Sequence, residues 1–405
     1  MNKFLKTILI SVSIVLLAWL LPATYHFITT QKTTYPFIIY SSLLNDFLIK
    51  DRDEKSNVYK DRKGTVYTQA QTDSLVPTLY YRLLITESRM PDTVLGVALT
   101  PQLIKHTNFF FRHSPSDVNG NLLKLYPLLE SRPKRMELAM PDDICRFTDS
   151  EIQFIDMEKN AVNRKKSDRF QQVFQEKGVE LPIKAIGGNP TARKEYDEGY
   201  FFTDSRNQLF HLKQMAGTPY LKKIDIAENM IIEHVFVTEF ANQTSYAFIT
   251  DQNNRMFVIT APDYRLVKTG IPSFNPNEDD IFIMGNMFDW NVELFNKSGK
   301  RNIALNAADY SFIDSLYTPI VTTEWEKAST YIFPFELTFT SLIDKFFYPR
   351  VSHVSAMACF FNILLTIAFL FVFRRSKRKN VVFPVIGIVV LGLFAFIPFW
   401  LFKNY

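Results

Sequence analysis

Three long apolar segments stand out in the pattern of hydrophobic and polar positions along the chain. They cover about residues 7–27, 354–373 and 381–402. Each has roughly the 20 apolar residues that a helix needs to cross a hydrocarbon core of about 30 Å. The third segment contains Pro and Gly residues, which membrane helices tolerate because the freed backbone groups find other partners. The pattern therefore predicts one N-terminal and two C-terminal transmembrane helices.

The basic residues beside these segments predict how the helices are oriented. Segment 374–380 (RRSKRKN) carries five Lys or Arg residues, and Lys3 and Lys6 precede the first apolar segment. Basic loops of this kind stay on the cytoplasmic side of a membrane. Both assignments agree only if residues 28–353 lie on the other side, so we expect a cytoplasmic N-terminus and an extracytoplasmic main domain. A cleavable signal peptide is the alternative for the first segment, although no A-x-A-like cleavage site follows it.

The long central region, about 28–333, has the composition of an all-β domain. Short β-branched and aromatic runs alternate there with Asp, Asn, Gly and Pro, and one local pattern recurs. In this pattern an apolar residue comes two positions before an Asp or Asn, and a Gly or Asn comes three positions after it; the two weaker copies depart slightly from these distances. Each copy predicts a β-hairpin, because the Asp or Asn side chain closes the turn and Gly or Asn accepts a positive φ. The copies are centred on Asp61, Asp156, Asp204, Asp251 and Asn296.

The spacing of these copies predicts a structural repeat. Successive copies lie 95, 48, 47 and 45 residues apart, and the first distance is close to two periods. One hairpin every 40–50 residues or so is typical of β-propeller blades. No copy occurs near residue 108, so an irregular β meander is the alternative. We therefore predict an all-β extracytoplasmic domain with propeller-like repeats of about 47 residues, or an irregular β meander, flanked by the transmembrane helices.

Three further stretches complete the predicted organisation. Residues 334–353 place aromatic and aliphatic side chains on one helical face, which predicts an interfacial helix or aromatic belt, or else a last β-strand. Residues 37–48 allow an interfacial helix or a docking strand, and residues 167–177 predict one short helix. In chain order we predict a membrane anchor (1–27), a β-rich extracytoplasmic domain (28–333), an interfacial segment (334–353), a transmembrane helix (354–373), a basic cytoplasmic loop (374–380) and a third transmembrane helix (381–402).

Composition and motifs argue against several classes of function. Five positive charges within 374–379 account for the net charge of +5, so nothing indicates a nucleic-acid surface. Two Cys residues cannot form a disulfide framework. The sequence has no phosphate-binding loop, dinucleotide fingerprint, H-E-x-x-H or G-x-S-x-G motif. The acidic pairs at 51–53 and 142–143 are better explained as solvated turn residues. We expect no catalytic site, no cofactor, no metal and no nucleic-acid partner.

Loop 187–199 is the first candidate for a binding role. It contains the densest cluster of Gly, Pro and charged residues in the chain, and loops of this length often carry function. An ordinary connection between blades is the alternative. The candidate residues in this loop are Asn189, Arg193, Lys194 and Asp197.

A polar stripe on the second apolar segment is the other candidate. Its residues are spaced i, i+4, i+7 and i+11, so they share one helical face. Lipid gives helices no hydrophobic reason to associate, and small or hydrogen-bonding side chains therefore mediate helix packing in membranes. The stripe either binds a second membrane protein or packs within the chain, for instance on the first segment. It consists of Ser355, Cys359, Asn362 and Thr366.

Several runs of sequence resemble a family of uncharacterised membrane-anchored envelope proteins from Bacteroidota-type bacteria. They are LYYRLL (79–84), PDTVLGVALT (91–100), LYPLLES (125–131), GGNPTARKEYDEGYFFTD (187–204) and QLFHLK (208–213). The resemblance implies a bacterial inner-membrane protein with a periplasmic main domain, encoded beside ABC transporter components. It supplies no catalytic residues. Together these observations favour a non-catalytic accessory or interaction subunit of an envelope transport complex, bound to the lipid bilayer and to a membrane protein such as an ABC transporter permease. An envelope sensor or ligand-binding protein is the alternative, and an envelope hydrolase is a third.

Overall fold

The computed structural model describes residues 3–30, 35–50, 58–120, 123–133, 137–373 and 381–402. They form two compact units, which we describe separately. The β unit is Tyr35–Pro319, and the helical unit combines Met1–Thr34 with Ile320–Tyr405. The sequence placed the end of the β-rich domain at residue 333, whereas residues 320–333 belong to the helical unit.

The β unit consists of short strands and five short helices among its described residues. Its strands are β1 (Phe37–Ser41), β2 (Asp46–Lys50), β3 (Tyr59–Lys60), β4 (Val66–Tyr67), β5 (Thr93–Val94), β6 (Val97–Ala98), β7 (Phe109–His113), β8 (Asp143–Phe147), β9 (Ile152–Asp156), β10 (Ala161–Val162), β11 (Ile186–Gly188), β12 (Tyr200–Thr203), β13 (Leu209–Met215), β14 (Thr218–Ile224), β15 (Ile232–Val237), β16 (Ser245–Asp251), β17 (Met256–Thr260), β18 (Leu266–Lys268), β19 (Asp280–Gly285), β20 (Asp289–Asn296), β21 (Gly299–Asn306) and β22 (Phe312–Pro319). Its helices are α2 (Gln69–Leu75), α3 (Pro77–Thr86), α4 (Pro101–Thr107), α5 (Pro115–Val118) and α6 (Arg164–Glu176). The helix predicted at 167–177 is confirmed as α6. Residues 37–48 form strands β1 and β2, so an interfacial helix there is wrong and the strand alternative is correct.

Strands that are neighbours in sequence pair with each other in successive antiparallel sheets. Within the described residues, the larger sheets have the strand orders β1-β2-β3-β4, β10-β9-β8, β11-β12-β13-β14, β15-β16-β17-β18 and β22-β21-β20-β19-β7, and β5 pairs with β6. Sequential antiparallel pairing needs only short hairpin connections. The all-β prediction for the central region is therefore confirmed as a mostly β-sheet fold that also contains five short helices.

Four of the five predicted hairpins occupy the same place in their sheets. They join β9 to β10, β12 to β13, β16 to β17 and β20 to β21, each time the second strand of a run to the third. In the β16–β17 turn, the Oδ1 atom of Asp251 accepts the N–H groups of Asn253 at 3.0 Å and Arg255 at 2.9 Å. Asn254 has a φ of +57°. The side-chain-closed turn with a left-handed Asn is confirmed at this site.

The fifth hairpin, at Asp61, joins a different pair of strands within its sheet from the other four. Asp61 accepts the N–H of Thr65 at 2.8 Å, and Gly64 has a φ of +85°, so the turn itself is confirmed. It joins β3 to β4, however, which are the third and fourth strands of their sheet. The 95-residue distance from Asp61 to Asp156 is therefore not two periods of one repeat.

Clusters of buried apolar residues join each sheet to the next. The β8–β10 sheet packs on β11–β14 around Phe154 and Phe202, and β11–β14 packs on β15–β18 around Phe201 and Ile249. Further clusters join β15–β18 to β19–β22, and β19–β22 to β1–β2. In the part of the chain that the structure describes, no such cluster joins β1–β4 to β8–β10. The sheets therefore form a packed series, and a closed propeller ring is not shown.

The helical unit contains five helices and one two-stranded sheet in its described residues. Its elements are α1 (Lys3–Thr29), α7 (Glu324–Ile332), β23 (Glu336–Thr338), β24 (Arg350–Ser352), α8 (Ala358–Phe373), α9 (Val382–Leu391) and α10 (Leu393–Leu401). The segment predicted to be interfacial, 334–353, therefore contains two paired strands and is not a helix.

The structure supports one of the three predicted transmembrane helices within its described residues. Over Phe4–Thr29, α1 is long and apolar enough to cross a membrane, and it is the one helix of this kind among the described residues. Within the described residues α8 has 16 residues, fewer than the roughly 20 of a span, so the second predicted transmembrane helix is not supported. The third apolar segment is divided into α9 and α10, because Gly392 has a φ of +56° that interrupts the helix. The basic loop 374–380 lies outside the described residues.

Candidate functional site

Loop 187–199 leads from β11 to β12. Gly187 allows a close approach to the β15–β18 sheet, and Gly199 allows a close approach to β13 in the loop's own sheet. A Cβ atom on Gly187 would lie 2.1 Å from the carbonyl oxygen of Val235 in β15. Gly199 has a φ of +65°, and a Cβ there would lie 2.3 Å from the carbonyl oxygen of Leu212. Only glycine fits such approaches. The loop is therefore held against the β15–β18 sheet, next to the segment that follows β15.

The ammonium group of Lys194 lies at the centre of a buried charge cluster. Its Nζ atom donates to Asp197 Oδ1 at 2.5 Å, to the two carboxylate oxygens of Glu239 at 2.7 Å each, and to the carbonyl oxygen of Asn189 at 2.6 Å. The side chains of Lys194, Asp197 and Glu239 are 6%, 3% and 2% exposed. Charges this far from water are stable only when they are paired and hydrogen-bonded. We name Lys194, Asp197 and Glu239 the Lys194 cluster.

Backbone groups of the loop complete the hydrogen bonding of both carboxylates. The N–H of Glu198 donates to Glu239 at 2.8 Å, and the N–H of Gly199 donates to Asp197 at 3.0 Å. The side-chain amide of Asn189 also donates to Glu239, at 2.7 Å. The loop conformation is therefore tied directly to the charge cluster.

The Lys194 cluster has one positive and two negative groups. Burial raises the pKa of Asp197 and the pKa of Glu239 above their ordinary values, although the hydrogen bonds from Lys194 oppose this shift. The excess negative charge makes the cluster sensitive to loss of its single cation. Both carboxylates already accept several hydrogen bonds, so the arrangement is better suited to holding the loop than to acid–base chemistry.

A second pair of residues extends this polar network along β13. Lys213 donates to the carboxylate of Glu198 at 2.7 Å, and the fully buried His211 lies 2.6 Å from the carbonyl oxygen of Glu198. The other ring nitrogen of His211 lies 2.9 Å from the hydroxyl of Tyr264. Burial lowers the pKa of His211 to about 3, so this histidine is neutral at physiological pH.

The structure brings together three of the four residues predicted in this loop. Asn189, Lys194 and Asp197 meet in one cluster, whereas Arg193 is exposed and lies outside it. Sequence reasoning did not identify Glu239, because it lies in a different sheet connection and has no local motif. The close packing signalled by Gly187 and Gly188 is the feature that points to a neighbouring strand.

A small cleft of about 40 Å³ lies elsewhere in the β unit, between the β1–β2 turn, the α2–α3 junction and the β19–β20 turn. Asp289 lies at its base and is buried. Its carboxylate accepts hydrogen bonds from Ser42 at 2.5 Å, Asn291 at 2.8 Å and Asn286 at 3.0 Å. Burial raises the pKa of Asp289 to about 6 despite these donors. The sequence analysis did not identify this cleft, because its walls come from three distant parts of the chain.

The predicted polar stripe of the helical unit is only partly continuous. Asn362 and Thr366 are buried, and the side-chain amide of Asn362 donates to the carbonyl oxygen of Val389 in α9 at 3.1 Å. Ser355 precedes α8 and donates to the carbonyl oxygen of Thr330, whereas Cys359 is exposed. Ser355, Asn362 and Thr366 are therefore hydrogen-bonded within the chain, and Cys359 is the exposed residue of the stripe.

Within the described ranges, no group of three or more His, Cys, Asp or Glu residues is arranged to hold a metal ion. Of the acidic pairs considered in the sequence, Asp143 begins β8 and accepts from Lys166 at 2.8 Å. The other pair, at 51–53, lies outside the described residues.

Several solved structures of β-propeller and related proteins are similar to this chain at low identity. The β-propeller domain of Cps50 (Swd1) from Myceliophteria thermophila has 11% identity and a TM-score of 0.25, covering 51% of this chain and 60% of that one. PorZ, an essential bacterial surface component of the type-IX secretion system of Porphyromonas gingivalis, has 10% identity and a TM-score of 0.23, covering 73% and 33%. The WD40 domain of SCAP from fission yeast has 11% identity and a TM-score of 0.22, covering 58% and 62%.

This chain spans less than two thirds of each of these three proteins. At such TM-scores the similarities carry no argument about function. No curated protein matches the sequence. Residues 37–305 match the sequence model of a family described as a domain of unknown function, so the predicted likeness to an uncharacterised family is confirmed: the chain belongs to the DUF4857 family.

Proposed function

We propose that this protein is a non-catalytic, membrane-anchored interaction subunit of an envelope transport complex. In this proposal α1, α8 and the α9–α10 pair lie in the inner membrane of a bacterium, and the β unit lies in the periplasm. The partner is an integral membrane protein, such as the ABC transporter permease that the family resemblance implies. Five basic residues in 374–380 support a cytoplasmic position for that loop.

The outward-facing side chains of the helical unit carry this proposal. Large apolar residues on α1, α8 and α9 are exposed in the isolated chain, whereas Asn362 and Thr366 are buried between helices. A soluble protein rarely exposes so continuous an apolar surface, and lipid is the environment that it suits. The exposed residues are Phe4, Val12, Val15 and Leu16 of α1, Phe360, Leu364, Ile367 and Phe371 of α8, and Val382, Phe383, Ile386 and Val390 of α9.

The bond from Asn362 supports the membrane position of the broken third segment. Because the helix stops at Gly392, the carbonyl oxygen of Val389 loses the partner that a continuous helix would provide. Asn362 supplies that partner at 3.1 Å. Satisfying a freed carbonyl from a neighbouring helix is how membrane proteins tolerate a break in the hydrocarbon region. This use of Asn362 leaves the exposed Cys359 as the part of the stripe available to a second protein.

The natural cysteines allow a direct test of this partner surface. Cys145 is fully buried and burial raises the pKa of its thiol, so a maleimide reagent will modify Cys359 selectively. A benzophenone attached there in native membranes should crosslink to one integral membrane protein on illumination. The same protein should co-purify with the unmodified chain in mild detergent.

Two variants serve as controls for this crosslinking. Cys359→Ser should abolish the adduct, and a thiol at Phe360, placed on a Cys359→Ser background, should give mainly lipid adducts because it faces a different direction on α8. Recovery of only lipid, or of only copies of this chain, from the Cys359 probe would overturn the proposed interaction. Asn362→Leu should instead destabilise the helical unit itself, by roughly 0.5–2 kcal/mol.

The Asp289 cleft favours a ligand-binding protein as the second candidate function. It combines apolar walls with a buried carboxyl group whose pKa is raised, but its volume of about 40 Å³ leaves room for a ligand of only a few atoms. Its three hydrogen-bond donors, however, already come from within the chain. A bound small molecule recovered with the protein purified from its native membranes would favour this candidate over the first.

A further inference from the structure

The loop that joins β23 to β24 exposes an unusual amount of apolar surface. Leu342 is 95% exposed and Phe347 is 76% exposed, and both lie within a connection of eleven residues, 339–349. Isolated exposed apolar side chains are common on protein surfaces, but several in one short loop mark an interaction surface. We name residues 339–348 the apolar loop; its other exposed large side chains are Ile343, Phe346 and Tyr348.

Hydrogen bonds within the apolar loop hold it in one shape. Arg350 donates to Asp344 at 2.7 Å and to the carbonyl oxygen of Phe346 at 3.2 Å. Asp344 also accepts the N–H of Phe346 at 2.9 Å, and the N–H of Tyr348 donates to the carbonyl oxygen of Phe339 at 3.2 Å. These bonds satisfy several backbone groups that would otherwise need water. Entry into a less polar environment is correspondingly less unfavourable.

The apolar loop lies beside α1, the helix long enough to cross a membrane. His26 in the last turn of α1 lies 2.7 Å from the carboxylate of Glu336, the first residue of β23. Directly after β23, Phe339 contacts Trp19 edge to face, with ring centroids 5.3 Å apart, and stacks on Phe347 at 5.3 Å. Seven residues of helix separate His26 from Trp19, about 10 Å along the axis. The hairpin therefore runs back along α1 from its C-terminal end, toward the apolar part of that helix.

We propose that the apolar loop inserts into the bilayer interface, with Leu342, Phe346 and Phe347 at the boundary between phospholipid headgroups and acyl chains. It would enter the leaflet that surrounds the C-terminal end of α1. The cation of Arg350 lies 3.9 Å from the centroid of the Tyr348 ring, and tyrosine rings are enriched at the level of the lipid headgroups. This proposal rests on the membrane position of α1 in the proposed function.

The depth of spin labels in reconstituted membranes tests this proposal. Leu342→Cys and Phe347→Cys are made separately on a Cys359→Ser background and labelled with a nitroxide. The full chain is then placed in vesicles of phosphatidylcholine and phosphatidylglycerol. Collision rates with oxygen, which concentrates in lipid, and with a water-soluble nickel complex are measured. Two reference positions are Leu16→Cys on α1 and Glu324→Cys, which replaces an exposed residue at the start of α7.

Labels at 342 and 347 should show an oxygen-to-nickel collision ratio several-fold higher than that at 324, and lower than that at 16. A ratio equal to that at 324 would place the loop in water and overturn the proposal. Low collision rates with both reagents would also overturn it, because the loop would then be covered by protein. A water-like ratio at 16 would instead show that α1 is not embedded, which removes the membrane part of the proposed function itself.

Discussion

Phenylalanine side chains fill the interior of the β unit, whereas in the helical unit many of them cover the outside. Phe202 and Phe248 in the β unit are fully buried, and Phe371 in α8 is 77% exposed. The same residue type therefore has opposite surroundings within one chain. Folding in water buries apolar area, so exposed phenylalanines are expected only where another solvent covers them. In the proposed function that solvent is lipid, around the helical unit alone.

The polar groups buried between α8 and α9 differ in kind from those of the Lys194 cluster in the β unit. The β unit buries three ionisable groups in the Lys194 cluster, each with several partners. The helical unit buries the neutral side chains of Asn362 and Thr366, which bond to backbone carbonyl oxygens of α9 and α8. Ionised groups are costly where no water is nearby, and neutral hydrogen bonds suffice to join helices in lipid. The comparison therefore predicts opposite responses to matched substitutions.

The largest difference is expected for phenylalanine truncation. Phe202→Ala should destabilise the β unit by about 3–5 kcal/mol, because it removes a fully buried ring and leaves a cavity. Phe371→Ala should change the stability of the helical unit by less than about 0.5 kcal/mol in detergent or lipid. Hydrogen exchange of backbone amides in the full chain, resolved by peptide, measures both effects. Equal losses of protection in the two units would contradict the assignment of different solvents.

Loss of the single cation in the Lys194 cluster is the next largest effect. Lys194→Met should destabilise the β unit by about 3 kcal/mol at neutral pH, because Asp197 and Glu239 then repel each other without a counterion. Arg193→Met is the matched control. Its side chain is exposed outside the cluster, so the change should stay within about 0.5 kcal/mol. Urea unfolding of the full chain in detergent, monitored by hydrogen exchange in β11–β16, measures the stability of the β unit in both variants.

The effect of Lys194→Met should also depend on pH in a defined direction. Burial holds the pKa of Asp197 and Glu239 above ordinary values, so the folded state retains protons that the unfolded chain releases. Stability therefore falls as pH rises from the ordinary carboxyl range through the raised pKa values, and removal of the ammonium steepens this fall. The variant should be closest to wild type at acid pH, where both carboxyl groups are protonated, and furthest from it at a pH above their raised pKa values. A pH-independent difference would show that the carboxylates are not the cause.

Local chemistry explains what could be predicted from the sequence. The hairpins at Asp204 and Asp251 follow from four neighbouring residues, because the Asp side chain and the left-handed Asn act within one turn. Helix α6 likewise follows from its local pattern. Most strands pair with their neighbours in sequence, so the prediction of a β-rich domain needed little information from distant residues; the pairing of β7 with β19, about 170 residues later, is the exception that the sequence did not reveal.

Contacts between distant residues explain what the sequence analysis missed. Glu239 enters the Lys194 cluster only because β11 and β15 pack closely at Gly187. The helical spacing of Phe335, Phe339 and Leu342 favoured an interfacial helix, yet Ser341 and Asp344 bond to nearby backbone N–H groups and stabilise a loop instead. The sequence also did not reveal where α9 ends, since a glycine within an apolar run is compatible with an unbroken helix.

The smallest predicted effect concerns residues with positive φ, which both units contain. Asn254 in the β unit has a φ of +57° and Gly392 in the helical unit has a φ of +56°, but the space around the two residues differs. A Cβ atom on Gly392 would lie 2.2 Å from Asn362 Oδ1, so there is no space for a side chain there. Asn254 already has a Cβ atom, and its hairpin turn has space for it. Backbone preference alone therefore decides substitutions at Asn254.

Asn254→Gly should be neutral or slightly stabilising, and Asn254→Val should cost about 1 kcal/mol or more, because a β-branched side chain disfavours the left-handed region. Asn253→Val, at the exposed neighbour that lacks a positive φ, is the matched control and should have little effect. The measurement is the opening free energy of β16 and β17 from hydrogen exchange in the full chain. If Val and Gly at position 254 were tolerated equally, the turn would not depend on the left-handed residue, and the equivalence of the repeated hairpins would lose its physical basis.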